Sequence, residues 1–204
     1  MNTGQPDELL EFLEHVVNNR SVESQIVWNT IIELHLRAYH KARNSKEWAQ
    51  YTPQKVAEEI DKRERAIEDV LKKPEANYDQ NSALCLVQMM GCGRGQLYLY
   101  EKMRMFHLVV QHFMDKGDTA EVIKKAKKYG KNDPNLWVNV LTYFASQKEV
   151  PKVELSQVLD YIDREGLLQP MLIIQILAKN PQIKIAVIKY VSGITFFAMC
   201  VQVV

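Results

Sequence analysis

The clearest candidates for chemistry lie in the stretch QMMGCGRGQLYLYEK, residues 88–102, where Gly91, Gly93 and Gly95 fall within five positions. A dinucleotide-binding turn needs the spacing G-x-G-x-x-G between a buried strand and a helix, whereas the spacing here is G-x-G-x-G. A P-loop needs lysine and then serine or threonine after its last glycine, and here glutamine and leucine follow. Helical patterns lie on both sides of the glycines. The stretch is therefore predicted to be a joint between helices, where glycine forms caps and sharp turns.

The histidines do not have the spacing of a metal site. They are His15, His35, His40, His107 and His112. Two metal ligands on one helix face are separated by four residues, but the members of each close pair are separated by five and point to different faces. No carboxylate or thiol completes a ligand set beside them, so we interpret them as surface or core-edge residues.

The cysteines also lack a functional spacing. The three are Cys85, Cys92 and Cys200. An odd number without C-x-x-C spacing favours free thiols in a reducing compartment over a disulfide framework or a zinc knuckle. No G-x-S-x-G nucleophile elbow occurs. We therefore predict no catalytic, cofactor-binding or metal-binding residues, and a chain that is not an enzyme.

Composition and charge exclude several classes of partner. The 204 residues are 47% hydrophobic, and 26 basic residues balance 25 acidic ones to a net charge of +1. No global field therefore favours nucleic acid or a membrane surface, and any partner must be recognised locally. The N-terminus has no basic region followed by an apolar run, which indicates an intracellular protein. The lysines of KKAKKYG (residues 124–130) suit the negative end of a helix dipole, with lipid headgroup binding as the alternative.

Residues typical of helix starts and helix ends recur along the chain. Prolines and aspartates such as Pro53, Asp118 and Pro134 stand at predicted helix starts, and Gly130 stands at a predicted end. The segment 97–117 reads as one helical stretch, apolar at Leu99, Met103, Phe106, Val110 and Phe113. Strand signals are nearly absent. The fold class is therefore predicted to be all-α.

The apolar positions predict which side chains form the core. The predicted core stripe contains Phe106, Val110, Trp137, Leu141, Phe144, Leu159, Ile162, Ile173 and Leu177. Further upstream the second helix is expected to bury Val27, Ile31, Leu34 and Ala38. Trp28, Trp48 and Trp137 could instead anchor a partner, although core packing is favoured for Trp137.

Similar helix boundaries recur about every 30 to 40 residues between Asp118 and Pro170, which is the period of stacked helix pairs. This pattern predicts an α-solenoid of antiparallel helix pairs. The polar connector KKPEANYDQNS, which contains residues 74–82, is the predicted joint between an upstream part and a denser downstream part. Spacing alone does not choose among the solenoid families.

Particular residues carry a family resemblance over most of the chain. They are Gly95, LYLYEK (97–102), Met105, Phe106, Gly130, DPNLW (133–137), YFA (143–145), LLQPMLIIQILA (167–178) and AVIKYV (186–191). With these residues the chain resembles the clathrin heavy-chain-type repeat of class C vacuolar sorting subunits. The resemblance is strongest from residue 84 to residue 191 and looser upstream.

The resemblance implies a non-catalytic function. Members of this kind belong to the HOPS and CORVET complexes, which tether endosomal, lysosomal or vacuolar membranes before fusion. It therefore implies other class C subunits as partners, no nucleic acid, and peripheral association with late endosomes, lysosomes or the vacuole from the cytoplasm.

The chain departs from the family pattern at several points. Residues 91–94 lack the expected aromatic and acidic residues. We expect the chain to be a fragment or variant of a longer family member, without the N-terminal β-propeller and the C-terminal cysteine/histidine RING domain of the family. We expect four parts: upstream solenoid helices (1–73), the polar joint (74–82), the repeat segment (83–191) and a divergent apolar tail (192–204). The tail is too short for a membrane span, and we expect it to pack on the last helix pair.

Two other hypotheses remain open on sequence grounds. The chain could be a helical repeat adaptor of another intracellular assembly, which capture without tethering subunits would favour. It could also be an enzyme that uses Cys92 or the glycine stretch, although no base, metal set or oxyanion element accompanies them.

Overall fold

The structure, a computed structural model, describes residues 5–19, 23–44, 52–148 and 152–180. These residues form α-helices joined by turns, and no strand occurs among them. The helices are α1 (Gln5–Asn19), α2 (Gln25–Arg43), α3 (Pro53–Lys72), α4 (Gln80–Met90), α5 (Gly93–Lys102), α6 (Phe106–Asp115), α7 (Thr119–Tyr129), α8 (Asn135–Ser146), α9 (Lys152–Arg164) and α10 (Pro170–Leu177). The prediction of an all-α fold is confirmed.

The helices form two compact units, one within residues 1–105 and the other within residues 106–204. In the first unit, α2 packs against α1, α3 and α4, and α5 packs against α3 and α4. Because α2 has neighbours on several sides, it buries a wide arc: Trp28, Ile31, Ile32, Leu36 and Tyr39. The predicted stripe was only partly right, since Val27, Leu34 and Ala38 are half-buried.

In the second unit, α8 packs against α6, α7, α9 and α10. Its buried side chains include Trp137, Val140, Leu141 and Phe144, all completely buried. Eight of the nine predicted core residues are buried as expected. The exception is Phe106, which is half-buried and stacks its ring on Tyr129 with 4.2 Å between the ring centroids.

The prediction of one helix over residues 97–117 was wrong. The chain turns between α5 and α6, where Arg104 takes the left-handed conformation with φ of 58°. The N–H of Met105 donates to the carbonyl of Tyr100 at 2.8 Å and the N–H of Arg104 donates to the carbonyl of Glu101 at 3.2 Å, closing the end of α5. A non-glycine residue in this conformation is uncommon, and neither glycine nor proline marks the turn in the sequence.

The polar connector between α3 and α4 is tied to its surroundings. The side chain of Asn77 donates to the carbonyl of Glu23, and the N–H of Asp79 donates to Oδ1 of Asn29, at 2.9 and 3.0 Å. Tyr78 is buried and its hydroxyl donates to the carbonyl of Leu71. The division of the chain at residues 74–82 stays a prediction, and the predicted tail lies outside the described residues.

Several local signals in the sequence have the structure they predicted. The Asp118 side chain accepts from the N–H of Glu121 at 3.1 Å and caps α7, which ends at Gly130. Along α3, the sequence has four acidic residues each placed four positions before a basic one, and three of these pairs are in contact, those of Arg63, Arg65 and Lys72. Such exposed pairs stabilise a helix by only about 0.3–0.5 kcal/mol each, so the buried faces dominate the free energy of folding.

Candidate functional site

The glycine stretch forms the turn from α4 into α5. Gly91 ends α4 in the left-handed conformation with φ of 68°, which glycine adopts without strain. The N–H of Cys92 donates to the carbonyl of Val87 at 2.9 Å, and the N–H of Gly91 donates to the carbonyl of Gln88 at 3.2 Å. This pattern satisfies carbonyl groups at the end of a helix. The predicted joint is confirmed only at Gly91 and Cys92, which lie between α4 and α5; Gly93 begins α5 and Gly95 lies within it.

A carboxylate already lies at the start of α5. The N–H groups of Gly93 and Arg94 are each 3.4 Å from an oxygen of Glu64, which projects from α3. These distances make weak hydrogen bonds, but the position is the one that an anion occupies at a helix N-terminus. Glu64 thus supplies the negative charge that a phosphate would supply in a nucleotide site. The turn connects α4 and α5, and the carboxylate of Glu64 on α3 already occupies the anion position at the start of α5.

Tyr39 and Arg43 of α2 complete this cluster. The Tyr39 hydroxyl donates to Oε1 of Glu64 at 2.8 Å and lies 3.1 Å from the carbonyl oxygen of Gly91. Nη1 of Arg43 donates to the same carbonyl at 2.9 Å. Burial, followed by the hydrogen bond to Glu64, raises the pKa of Tyr39 well above its ordinary value. The hydroxyl therefore stays protonated and acts as a donor between three helices.

Arg94 and Asp61 form an ion pair on the outer side of the turn. Nε and Nη2 of Arg94 lie 2.9 and 2.6 Å from Oδ1 of Asp61. The hydrogen bond from Arg94 lowers the pKa of Asp61 below its ordinary value. The pair is solvent-exposed, so its main effect is to orient α5 on α3. The sequence alone did not indicate Glu64, Asp61, Tyr39 or Arg43 here, because no spacing connects residues so far apart in the chain.

The two described cysteines differ in accessibility. Cys92 is completely buried, and burial raises the pKa of its thiol to about 11. Since the thiolate is the reactive form, Cys92 is a poor nucleophile at neutral pH. Cys85 is exposed, with Sγ 3.9 Å from Sδ of Met89. Cys200 lies outside the described residues.

The histidines have separate local roles. Nε2 of His35 lies 2.8 Å from Oε1 of Glu14, which connects α2 to α1. His40 contacts the side chain of Asn44, and His112 meets the ring of Phe113 edge-on. Within the described ranges no group of three histidine, cysteine or acidic side chains could hold a metal ion. No described helix combines the length and hydropathy needed to cross a membrane.

Comparison with known proteins gives a consistent result. The family model described as PEP5/VPS11 clathrin repeat matches residues 1–175. The chain belongs to this family. The vacuolar protein sorting-associated protein 11 homolog of Dictyostelium discoideum is 39% identical over 189 residues, which are 92% of this chain and 18% of that protein. The human homolog is 32% identical over 184 residues, or 90% of this chain and 18% of the relative.

Other comparisons define the extent of this similarity. The Arabidopsis thaliana homolog is 38% identical over 116 residues, covering 55% of this chain. The chain thus spans less than a fifth of the length of the curated relatives. No solved structure matches it. Family membership agrees with the helical architecture, an α-solenoid of the clathrin-repeat type.

The structure explains two residues of the PEP5/VPS11 repeat that carried the resemblance. Gly95 is buried, and a Cβ atom there would lie 3.1 Å from Cγ1 of Val87 and 3.3 Å from Sγ of Cys92. The absent side chain thus lets α5 approach α4. At Gly130, a Cβ atom would lie 2.3 Å from Nε1 of Trp137, so this glycine makes room for the indole. Both positions serve packing.

The tryptophans are part of the core where they are described. Trp28 and Trp137 are both buried, so neither can act as a surface anchor for a partner. Trp48 lies outside the described residues. Exposed apolar side chains occur instead in small numbers on several described helices, with the first two about one turn apart on α1: Leu9, Phe12, Ile26, Met89, Val153 and Met171. Scattered exposure of this kind is normal and does not by itself define a binding site.

Proposed function

We propose that the chain is a non-catalytic scaffold segment of a membrane-tethering complex of the HOPS or CORVET type. In this role it supports vesicle-mediated protein transport to endosomes, lysosomes or the vacuole. The observation that carries the proposal is the match of residues 1–175 to the PEP5/VPS11 repeat, together with relatives named for vacuolar protein sorting. Because the chain spans only 18% of those two relatives, the role proposed is that of one segment.

The internal chemistry of the first unit supports a structural role. The polar groups around the glycine turn bond to one another, with Glu64 and Tyr39 joining α2, α3 and the start of α5. The buried thiol of Cys92 is held in its protonated form. Among the described residues every fully buried side chain is apolar or aromatic, and none is charged. These features stabilise helix packing, and they favour a protein that acts through its surface.

The proposed partners are other class C vacuolar sorting subunits. Solenoids offer long surfaces in which each helix pair contributes a few exposed side chains, and this architecture suits assembly of several proteins. Through such a complex the chain would lie on the cytosolic face of late endosomes, lysosomes or the vacuole. The association proposed is peripheral and depends on the partner subunits.

Affinity capture of the tagged full chain from cells, followed by cross-linking mass spectrometry, tests this proposal. We expect enrichment of class C sorting subunits with cross-links to exposed lysines. Leu141→Pro is the matched control, because proline inside α8 costs about 3 kcal/mol or more and disrupts the second unit. Reproducible capture of an unrelated assembly, without sorting subunits, would instead support the adaptor hypothesis and contradict the proposal.

A further inference from the structure

The second unit has a groove on its surface between α7 and α9. The groove is lined by Thr119, Ala120, Ile123, Lys124, Lys127, Glu154 and Gln157. Ile123 forms its apolar floor and is only 7% exposed, whereas Ala120 is exposed at one end. Lys124 and Lys127 are three residues apart in α7. Because residues at this spacing are neighbours on a helix surface, both lysines lie along the same rim, about one helical turn apart.

The rim formed by α7 carries more positive charge than its neighbours balance. Nζ of Lys124 lies 2.6 Å from Oε1 of Glu121, but its side chain is 72% exposed. Nζ of Lys127 lies 5.3 Å from the centre of the Tyr161 ring. Within the described part of the chain, no carboxylate oxygen is within ion-pair distance of Lys127. Its ammonium group is therefore held near the groove without an acidic partner.

The Tyr161 ring that Lys127 approaches also has a second cation beside it, Arg164, whose Nε lies 3.6 Å from Oε1 of Glu165. Cζ of Arg164 lies 5.4 Å from the centre of the Tyr161 ring, so this ring attracts both Arg164 and Lys127. Tyr161 in turn packs on the buried Trp137, with 5.1 Å between the ring centroids. A ring supported by the core thus lies beside Lys127, the lining residue of the groove that has a cation–π contact with it.

We propose that this groove binds an acidic amphipathic segment of a partner protein. An aliphatic side chain of that segment would lie on Ile123, and two carboxylates one helical turn apart would face Lys124 and Lys127. Recognition of an amphipathic helix in a groove commonly combines an apolar anchor with charged flanks. This inference rests on the proposed function as a protein-binding scaffold and adds the surface and the chemistry of the partner.

The geometry favours a peptide over a membrane surface. Attraction to anionic lipids grows with the number of cations near a flat surface and uses clusters larger than the two rim lysines. A concave site with an apolar floor instead fits one protruding side chain. Glu154, on the α9 rim, would repel a uniformly negative surface such as an anionic membrane. A peptide segment whose acidic residues face only the α7 rim avoids this repulsion.

Fluorescence anisotropy with the purified full chain tests the proposal. The probe is a labelled helical peptide with a leucine flanked by glutamates spaced three and four residues apart, and its control has glutamines in place of the glutamates. Lys124→Glu combined with Lys127→Glu should weaken binding of the acidic peptide about tenfold or more, since each exposed charge pair contributes modestly and reversal turns attraction into repulsion. Ala120→Trp, which fills the groove without changing the charge, should also weaken it.

The matched control is Lys41→Glu combined with Lys55→Glu, which makes the same change of net charge at exposed positions in the first unit. Circular dichroism melts should show all variants folded. The proposal is overturned if the two double variants lose affinity equally, if Ala120→Trp binds normally, or if the glutamine peptide binds as well as the acidic one. Binding to phosphatidylserine vesicles with the same lysine dependence, without binding of the acidic peptide, also overturns it. Cellular capture of sorting subunits is measured separately, so failure here is distinguishable from failure of the proposed function.

Discussion

Trp137 offers a direct test of how the second unit is stabilised. Its side chain is completely buried in α8, lies against Tyr161 and leaves no room for a Cβ atom at Gly130. Trp137→Ala would remove the whole indole from a buried site that Tyr161 of α9 and Gly130 at the end of α7 help to form. Replacing a large buried aromatic residue with alanine costs about 3–5 kcal/mol, through lost contacts and the cavity left behind. We expect a loss of this size in the free energy of unfolding.

A second substitution separates packing from hydrogen bonding at this site. Nε1 of Trp137 is buried and has no hydrogen-bond partner in the described structure. Leaving a buried donor unsatisfied costs about 1–3 kcal/mol, so Trp137→Phe removes that cost while keeping most of the aromatic contact. We therefore expect Trp137→Phe to lose less than half of what Trp137→Ala loses.

Urea unfolding of the full chain, followed by helical circular dichroism, measures both effects. Phe12→Ala is the matched control, because this aromatic side chain is 62% exposed and its removal should change the free energy by no more than about 0.5 kcal/mol. A loss below about 1 kcal/mol for Trp137→Ala would refute the burial argument. Equal losses for the alanine and phenylalanine variants would refute the argument about the indole N–H.

Three further predictions concern the first unit. Gly95→Ala should lower the melting temperature, because the new Cβ atom would crowd Val87 and Cys92, whereas Gly93→Ala should not, because nothing lies within 4 Å of that position. In a variant with Cys200→Ser, a maleimide should label the exposed Cys85 rapidly and the buried Cys92 only on unfolding. Rapid labelling of both thiols in the folded protein would contradict the burial of Cys92. Asp61→Asn should destabilise the chain at neutral pH, and the difference should shrink as the pH falls below about 4. Because the folded pKa of Asp61 is lowered, its ion pair with Arg94 stabilises the fold above the unfolded pKa of about 3.9, and this stabilisation is lost as the pH falls through the folded pKa. A difference in stability that does not depend on pH would contradict this.

Local sequence signals predicted the parts of the fold that local physics controls. The cap at Asp118 and the end of α7 at Gly130 depend on residues within a few positions of each other, so they can be read from the sequence. The core of α8 followed from its helical spacing for the same reason. These features require no knowledge of which helix packs against which.

The features that the sequence did not predict depend on tertiary contacts. Arg104 turns the chain between α5 and α6 without glycine or proline, so periodicity alone joined two helices into one. The buried face of α2 includes Leu36 and Tyr39 because several helices surround it, and a single predicted stripe could not show this. The presence of helices could therefore be predicted from the sequence. The break between α5 and α6 and the width of the buried face of α2 could not.

The glycine turn shows how a sequence feature that suggests ligand chemistry can serve packing instead. A helix N-terminus attracts an anion whether that anion belongs to a ligand or to the protein itself. Here the carboxylate of Glu64 comes from another helix and accepts from Tyr39 as well as from the start of α5. The attraction that would bind phosphate therefore fastens one helix to two others. With the polar groups of this turn engaged internally, the surfaces available for recognition are the exposed faces of the helices, and the α7–α9 groove combines an apolar floor with the lysine-bearing rim of α7.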